Sequence, residues 1–218
     1  MFMGLLEGFK DIVNKDTAFS LYSMFKDDPK KMIKKYKTKE ALLLEVIRLT
    51  GTPKKRRDYY IIAHSYVDLG AKYRPQAIIA LTQYLKKGGY WSGTPNDTID
   101  MGDYKADQRK ECIAAEWECL GKAYEGEYIF DEAMRCYREA MQLTPYSETP
   151  VMYIADLYVK MNDINSGLAF LTEIKKSRYK NMKQAAVGKY KELKAKKASG
   201  YVYKPRSRKG AANSSQPT

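Results

Sequence analysis

The strongest constraint on how this chain folds is a self-similarity with a period of 34 residues. From Ala114 the sequence reads AAEWECLGKAYEGEYIFDEAMRCYREAMQLTPY. Trp117, Leu120 and Tyr124 recur at i, i+3 and i+7, one face of a helix, and Ala133, Tyr137 and Ala140 share a face of a second helix. Gly121 and Ala133 lack bulk where two such helices would cross, and Pro145 cannot continue the second helix. One period further on stand Val151, Ile154, Ala155 and Tyr158, followed by Gly167, Leu171 and Ile174; here Val replaces Trp and the closing Pro is absent. Upstream, Tyr59, Ile62, Ala63 and Tyr66 match the first helix. Ala77, Leu81 and Tyr84 match the second after about two extra residues around Tyr73 to Pro75.

This spacing resembles the tetratricopeptide repeat, whose pattern is W-x2-L-G-x2-Y followed by a small residue, an aromatic, an Ala and a Pro. The best match is 114–147, with degenerate copies at about 56–89 and 148–181. The resemblance implies an all-α protein, a right-handed α-α superhelix of about three helix pairs. Its concave face would be lined by the first helix of each pair and would hold an extended peptide or a partner's helix. Carried over position by position, the groove set would be Tyr60, His64 and Val67, then Glu118, Lys122 and Glu125, then Met152, Asp156 and Val159. Members that grip the C-terminal carboxylate of chaperones use cationic and amide side chains at these places. Here Lys122 stands alone among Glu118, Glu125 and Asp156, so a different ligand is expected.

Around the repeats, assigned to 51–180, the chain carries extra segments. Residues 1–50 are expected to pack as helices on the solenoid. Phe2, Leu5, Leu6, Phe9, Ile12 and Val13 recur at helical spacing, with Glu7, Lys10 and Asp11 between them. That polar face has mixed sign, which favours packing on the repeats over lying on a membrane. Thr38 to Leu49 reads as a helix opened by a capping Thr. Residues 88–108, rich in Gly and Asp, read as an inserted loop in which Tyr90 and Trp91 either cover a groove or pack locally. Residues 181–198 read as a capping helix, with Met182, Ala185, Ala186, Tyr190 and Leu193 inward and lysines elsewhere. Residues 199–218 are expected to be a disordered basic tail.

The formal net charge of +13 is not spread evenly. Residues 175–210 hold 14 Lys or Arg and a single acid, Glu192, and the rest of the chain balances 25 bases against 25 acids. Tyr201 and Tyr203 beside Lys204, Arg206, Arg208 and Lys209 interleave aromatics with cations. That composition can stack on nucleic acid, pair with an acidic protein or simply keep the chain dissolved. The runs Lys30, Lys31, Lys34, Lys35, Lys37, Lys39 and Lys54, Lys55, Arg56, Arg57 are either solvated faces or a partner-binding patch.

Three cysteines, Cys112, Cys119 and Cys136, form no CxxC and stand with a single histidine, His64, so neither a disulfide framework nor a metal site is expected. Apolar runs are far shorter than a membrane span. Phosphate-loop, GxSxG, HExxH and GxGxxG patterns are missing, and His64 reads as a hydrogen-bonded or solvated side chain rather than a general base. The expectation is a cytoplasmic, non-catalytic scaffold with no cofactor that binds a protein or peptide. The alternative is a nucleic-acid-associated protein acting through its tail, and a homodimer is left open.

Overall fold

The computed structural model describes residues 2–90 and 102–205, with side chains over 11–90 and 106–205. Among the described residues the chain is all-helical, without strands. The helices are α1 (Phe2–Asp27), α2 (Pro29–Tyr36), α3 (Lys39–Thr50), α4 (Arg56–Leu69), α5 (Arg74–Lys86), α6 (Gly102–Gly126), α7 (Phe130–Leu143), α8 (Glu148–Lys160), α9 (Ile164–Ile174) and α10 (Lys180–Ala198). A 3-10 turn, Ala71–Tyr73, links α4 to α5. None of these helices is long and apolar enough to cross a membrane. The chain divides into two compact units, Met1–Pro150 and Val151–Thr218, so the border falls in the first turn of α8.

In the first unit, α2 starts where Asp28 accepts from the Lys31 N–H and Pro29 supplies a preset φ. Helix α3 starts where Thr38 Oγ1 accepts from the Ala41 N–H. Leu21, Tyr22 and Phe25 of α1 meet Met32 of α2, Leu42 and Val46 of α3 and Ile61 of α4 in one core. A second core joins Ala63 of α4, Leu81 and Tyr84 of α5, Leu120 of α6 and Cys136 of α7. The crossing of α6 and α7 depends on Gly121: a Cβ there would lie 2.5 Å from Cε1 of the Tyr137 ring. Both helix pairs therefore pack through the small and aromatic positions picked out by the spacing.

Helix α1 runs on far beyond Val13 and buries a later stripe. Lys15, Ala18, Tyr22 and Phe25 face inward, whereas Ile12 and Val13, expected to pack on the repeats, are exposed. The turn of the stripe follows from Lys15. Its Nζ donates to the Thr52 carbonyl at 2.9 Å and pairs with Asp58 at 3.4 Å, which fixes the face α1 presents to α4. The side chains of Phe2, Leu5, Leu6 and Phe9 lie outside the described residues. Helix α6 begins at Gly102, so the last seven residues of the stretch read as a loop are helical; 91–101, with Trp91, lie outside the described residues.

In the second unit, Gly167 of α9 lets Tyr158 of α8 and Leu193 of α10 close in, since a Cβ there would meet them at 3.1 and 2.8 Å. Helix α10 buries Met182, Ala186 and Leu193 and leaves Lys183, Lys191 and Lys194 in solvent. Lys189, expected on the outer face, is buried as well. The segment read as a disordered tail from Ser199 is tied down at its start. The Tyr203 N–H donates to Asn162 Oδ1 at 2.7 Å, and Asn162 Nδ2 donates back to the Tyr203 carbonyl at 3.4 Å. One amide side chain thus satisfies a backbone donor and acceptor together, as a neighbouring strand would.

Candidate functional site

Tyr60, His64 and Val67 lie at i, i+4 and i+7 on α4 and share one face. His64 does not stand free on that face. Its Nε2 lies 2.9 Å from both Glu116 carboxylate oxygens on α6, and the pair is largely buried. The Tyr60 ring sits 4.3 Å from the His64 ring, centroid to centroid, and meets Tyr84 and Tyr22 edge-on at 5.8 and 6.3 Å. Burial, then the charges of Glu116 and Asp68, push the Tyr60 hydroxyl up to about 12. Tyr22 in turn donates to Asp68 Oδ2, which also receives Lys26 Nζ. Burial, then the Asp68 charge, raises the Tyr22 phenol well above its usual range. Tyr60 and His64 are therefore tied inward, Tyr60 by its ring contacts and His64 by the Glu116 bridge, and act as an internal brace.

Helix α6 carries Glu118, Lys122 and Glu125 at the same spacing. Glu125 Oε2 accepts from the Tyr137 hydroxyl at 3.0 Å, so this carboxylate serves the α6–α7 crossing. Glu118 is half-buried. Burial raises its carboxyl above the usual value, against the opposing charge of Lys122, which is exposed one turn later. Val67 packs half-buried against the second core, Glu118 is half-buried and Lys122 is exposed, so these three members of the first unit's expected set keep some surface open to solvent.

In the second unit the expected set thins in the same way. Val159 is only 5% exposed and belongs to the interior, so it is not a groove residue. Asp156 forms a close ion pair with buried Lys189, which also donates to Glu192 Oε2 at 2.8 Å. Burial works against the Lys189 ammonium, but the hydrogen bonds and charges of Asp156 and Glu192 outweigh it and hold its pKa above the usual value. Met152 remains half-buried. At the far end Lys204 is exposed; Arg206, Arg208 and Lys209 lie outside the described residues.

The chemistry available is recognition by apolar, acid and amine groups. All three cysteines are free, and Cys112 is the exposed one. Burial pushes the Cys119 thiol up to about 11 and the Cys136 thiol up to about 12, the reverse of what thiolate chemistry needs. Among the described residues no group of three His, Cys, Asp or Glu could hold a metal ion.

Two functional groups escaped the sequence reading, Glu116 and Lys189. For Glu116 there was a signal. Asp58 and Glu116 each stand one residue before the leading aromatic of their repeat, Tyr59 and Trp117. Each is buried, and each is met by a base from an earlier helix, Lys15 of α1 and His64 of α4. For Lys189 the signal was its register: with Met182, Ala186 and Leu193 it falls at i, i+4, i+7 and i+11 on one face, although its residue type matches the solvated Lys183, Lys191 and Lys194. No protein-family model matches the chain and no curated protein matches it.

Proposed function

We propose that the chain is a non-catalytic interaction scaffold, built of tetratricopeptide-like helix pairs, which binds a partner protein or an extended peptide across α4 and α6. The observation that carries this reading is the His64–Glu116 bridge at 2.9 Å, which fixes the first helix of one pair beside the first helix of the next. Such a seam offers a partner side chains from two helices at once. Val67 supplies apolar contact, Lys122 a cation, and Glu118 a half-buried carboxyl that gains from a hydrogen-bond donor brought by the ligand. The aromatic brace behind them keeps the surface pre-organised, which lowers the entropy lost on binding. Three free thiols favour work in a reducing cytoplasm.

The test is affinity capture from nuclease-treated cytoplasm, comparing the full chain with a Val67→Glu, Lys122→Glu double variant of unchanged melting temperature. A discrete protein retained by the wild type and lost by the variant is the expected result. The same proteins on both would remove this face from consideration, and with it the reading.

A further inference from the structure

Helix α2 is short, yet it carries the densest described cluster of cations in the first unit. Lys30, Lys31, Lys34 and Lys35 lie on it, and Lys37 and Lys39 follow within three residues of its end. All six are exposed, and none forms an ion pair among the described residues. Asp28 occupies the helix start, where its carboxylate is engaged as the cap. Glu40 is taken by Lys72 and Tyr73. At about 100° per residue the four helical lysines fan over an arc of about 140°. Met32, Ile33 and Tyr36 fill the opposite side, packed into the α1–α3 core.

We infer that α2 is a contact for the phosphate backbone of double-stranded nucleic acid, made without reading base sequence. Three features favour this partner. Six like charges without an ion pair, one of them, Lys35, resting over the Tyr36 ring at 5.8 Å, repel one another on so short a stretch and stand ready for a polyanion that releases counterions on binding. Lysine is a flexible point charge without the planar fork that reads guanine edges, which suits backbone contact rather than base readout. The outer arc also has no apolar or aromatic anchor, since Met32, Ile33 and Tyr36 are turned inward. A membrane-surface helix needs an exposed apolar face, and protein interfaces are depleted in lysine and built around apolar anchors. A helix presenting cations on both flanks fits between the two phosphate rims of a groove.

The contact is separate from the protein-binding face of α4 and α6, and its failure would leave that reading untouched. The test uses the full chain and a random-sequence 20-base-pair DNA duplex, with binding measured by fluorescence anisotropy across a salt series. The comparison protein replaces Lys30, Lys31, Lys34 and Lys35 with Gln, which preserves helix propensity. At about 0.9 per phosphate, losing four contacts should lower the magnitude of the log–log salt slope by about 3 to 4. Affinity at low salt should fall at least tenfold. A second variant with Arg at the same four positions should keep the wild-type slope, which separates charge from any loss of fold. Unchanged slope and affinity in the Gln variant would overturn the proposal and assign duplex binding elsewhere. Vesicles of phosphatidylserine and phosphatidylcholine form the second arm. If the four substitutions abolished vesicle binding and left duplex binding intact, the partner would be a membrane and the proposal would fall.

Discussion

A Cβ placed on Gly121 would lie 2.5 Å from Cε1 and 2.8 Å from Cδ1 of Tyr137. No side chain fits there without moving a fully buried ring that also donates its hydroxyl to Glu125. Gly188, midway along α10, has nothing within 4 Å of the same position. The two glycines should therefore answer the same substitution with opposite signs. Gly121→Ala is expected to destabilise the protein by about 1–3 kcal/mol through overpacking. Gly188→Ala should stabilise it by about 0.5–1 kcal/mol through helix propensity alone. Thermal unfolding of the two variants decides the matter, and a destabilised Gly188→Ala would refute the account of α10.

Asp58 is 1% exposed. Its Oδ2 accepts from the Lys54 and Lys55 N–H groups at 3.0 and 3.2 Å and faces Lys15 Nζ at 3.4 Å. Removing the carboxylate leaves a buried ammonium and two backbone donors at the start of α4. Asp58→Ala should cost about 3 kcal/mol, as for a buried pair stripped of one partner. Lys54→Ala removes only the exposed pairing with Asp11 and should leave stability nearly unchanged. Urea unfolding of both variants would show whether the buried carboxylate or the basic run around it matters to the fold.

The helix pairs were legible because their positions are fixed by contact geometry, which leaves a spaced record in residue type. Gly121 against Tyr137 and Gly167 against Tyr158 are written in the chain as a small residue and an aromatic at set distances. The candidate binding residues were less legible. Tyr60, His64, Glu125, Asp156 and Val159 occupy positions that the resemblance turns toward a ligand, but four are claimed by Glu116, Tyr137, Lys189 and the aromatic cluster, and Val159 is interior. Periodicity assigns a residue to a face; it does not say what a neighbouring element brings to that face. Residue type, not place, hid the burial of Lys189: it shares the face of Met182, Ala186 and Leu193, but its partner Asp156 is distant in sequence.

The three thiols should separate by access and ionisation. Cys112 is exposed; burial, then the charges of Glu116 and Glu111, raises its thiol somewhat above the usual value, whereas Cys119 and Cys136 are driven to about 11 and about 12. At pH 8 a disulfide reagent such as dithionitrobenzoate should label one thiol quickly in the native protein and all three in denaturant. The fast rate should climb with pH as more Cys112 thiolate forms. Rapid labelling of two or three thiols in the folded chain would contradict the packing of α6 against α7 and the α4–α5 layer.

Lys189, Glu192 and Lys196 set the pH response of the second unit. Burial pushes the Glu192 carboxyl up, but hydrogen bonds from Lys189 and Lys196 outweigh it and hold the group below its ordinary 4.5. A carboxyl lowered by folding contributes stability above its unfolded value, and that contribution is lost as pH falls through the folded value. Lys189 is raised above its ordinary 10.5, so its contribution is present below that value and is lost as pH rises through the folded one. The ion network should therefore stabilise α10 across the neutral range and fail at both ends. Lys189→Met keeps the apolar stem among the groups that bury it and removes the charge that Asp156 and Glu192 share. Because both acids are partly solvated, the expected cost at pH 7 is about 1 kcal/mol, shrinking as pH falls through the folded Glu192 value, below 4.5, and as it rises through the folded Lys189 value, above 10.5. Melting temperatures of the two proteins from about pH 3 to about pH 12 would reveal this convergence. Curves that stayed parallel over the whole range would mean that Lys189 contributes packing and not charge.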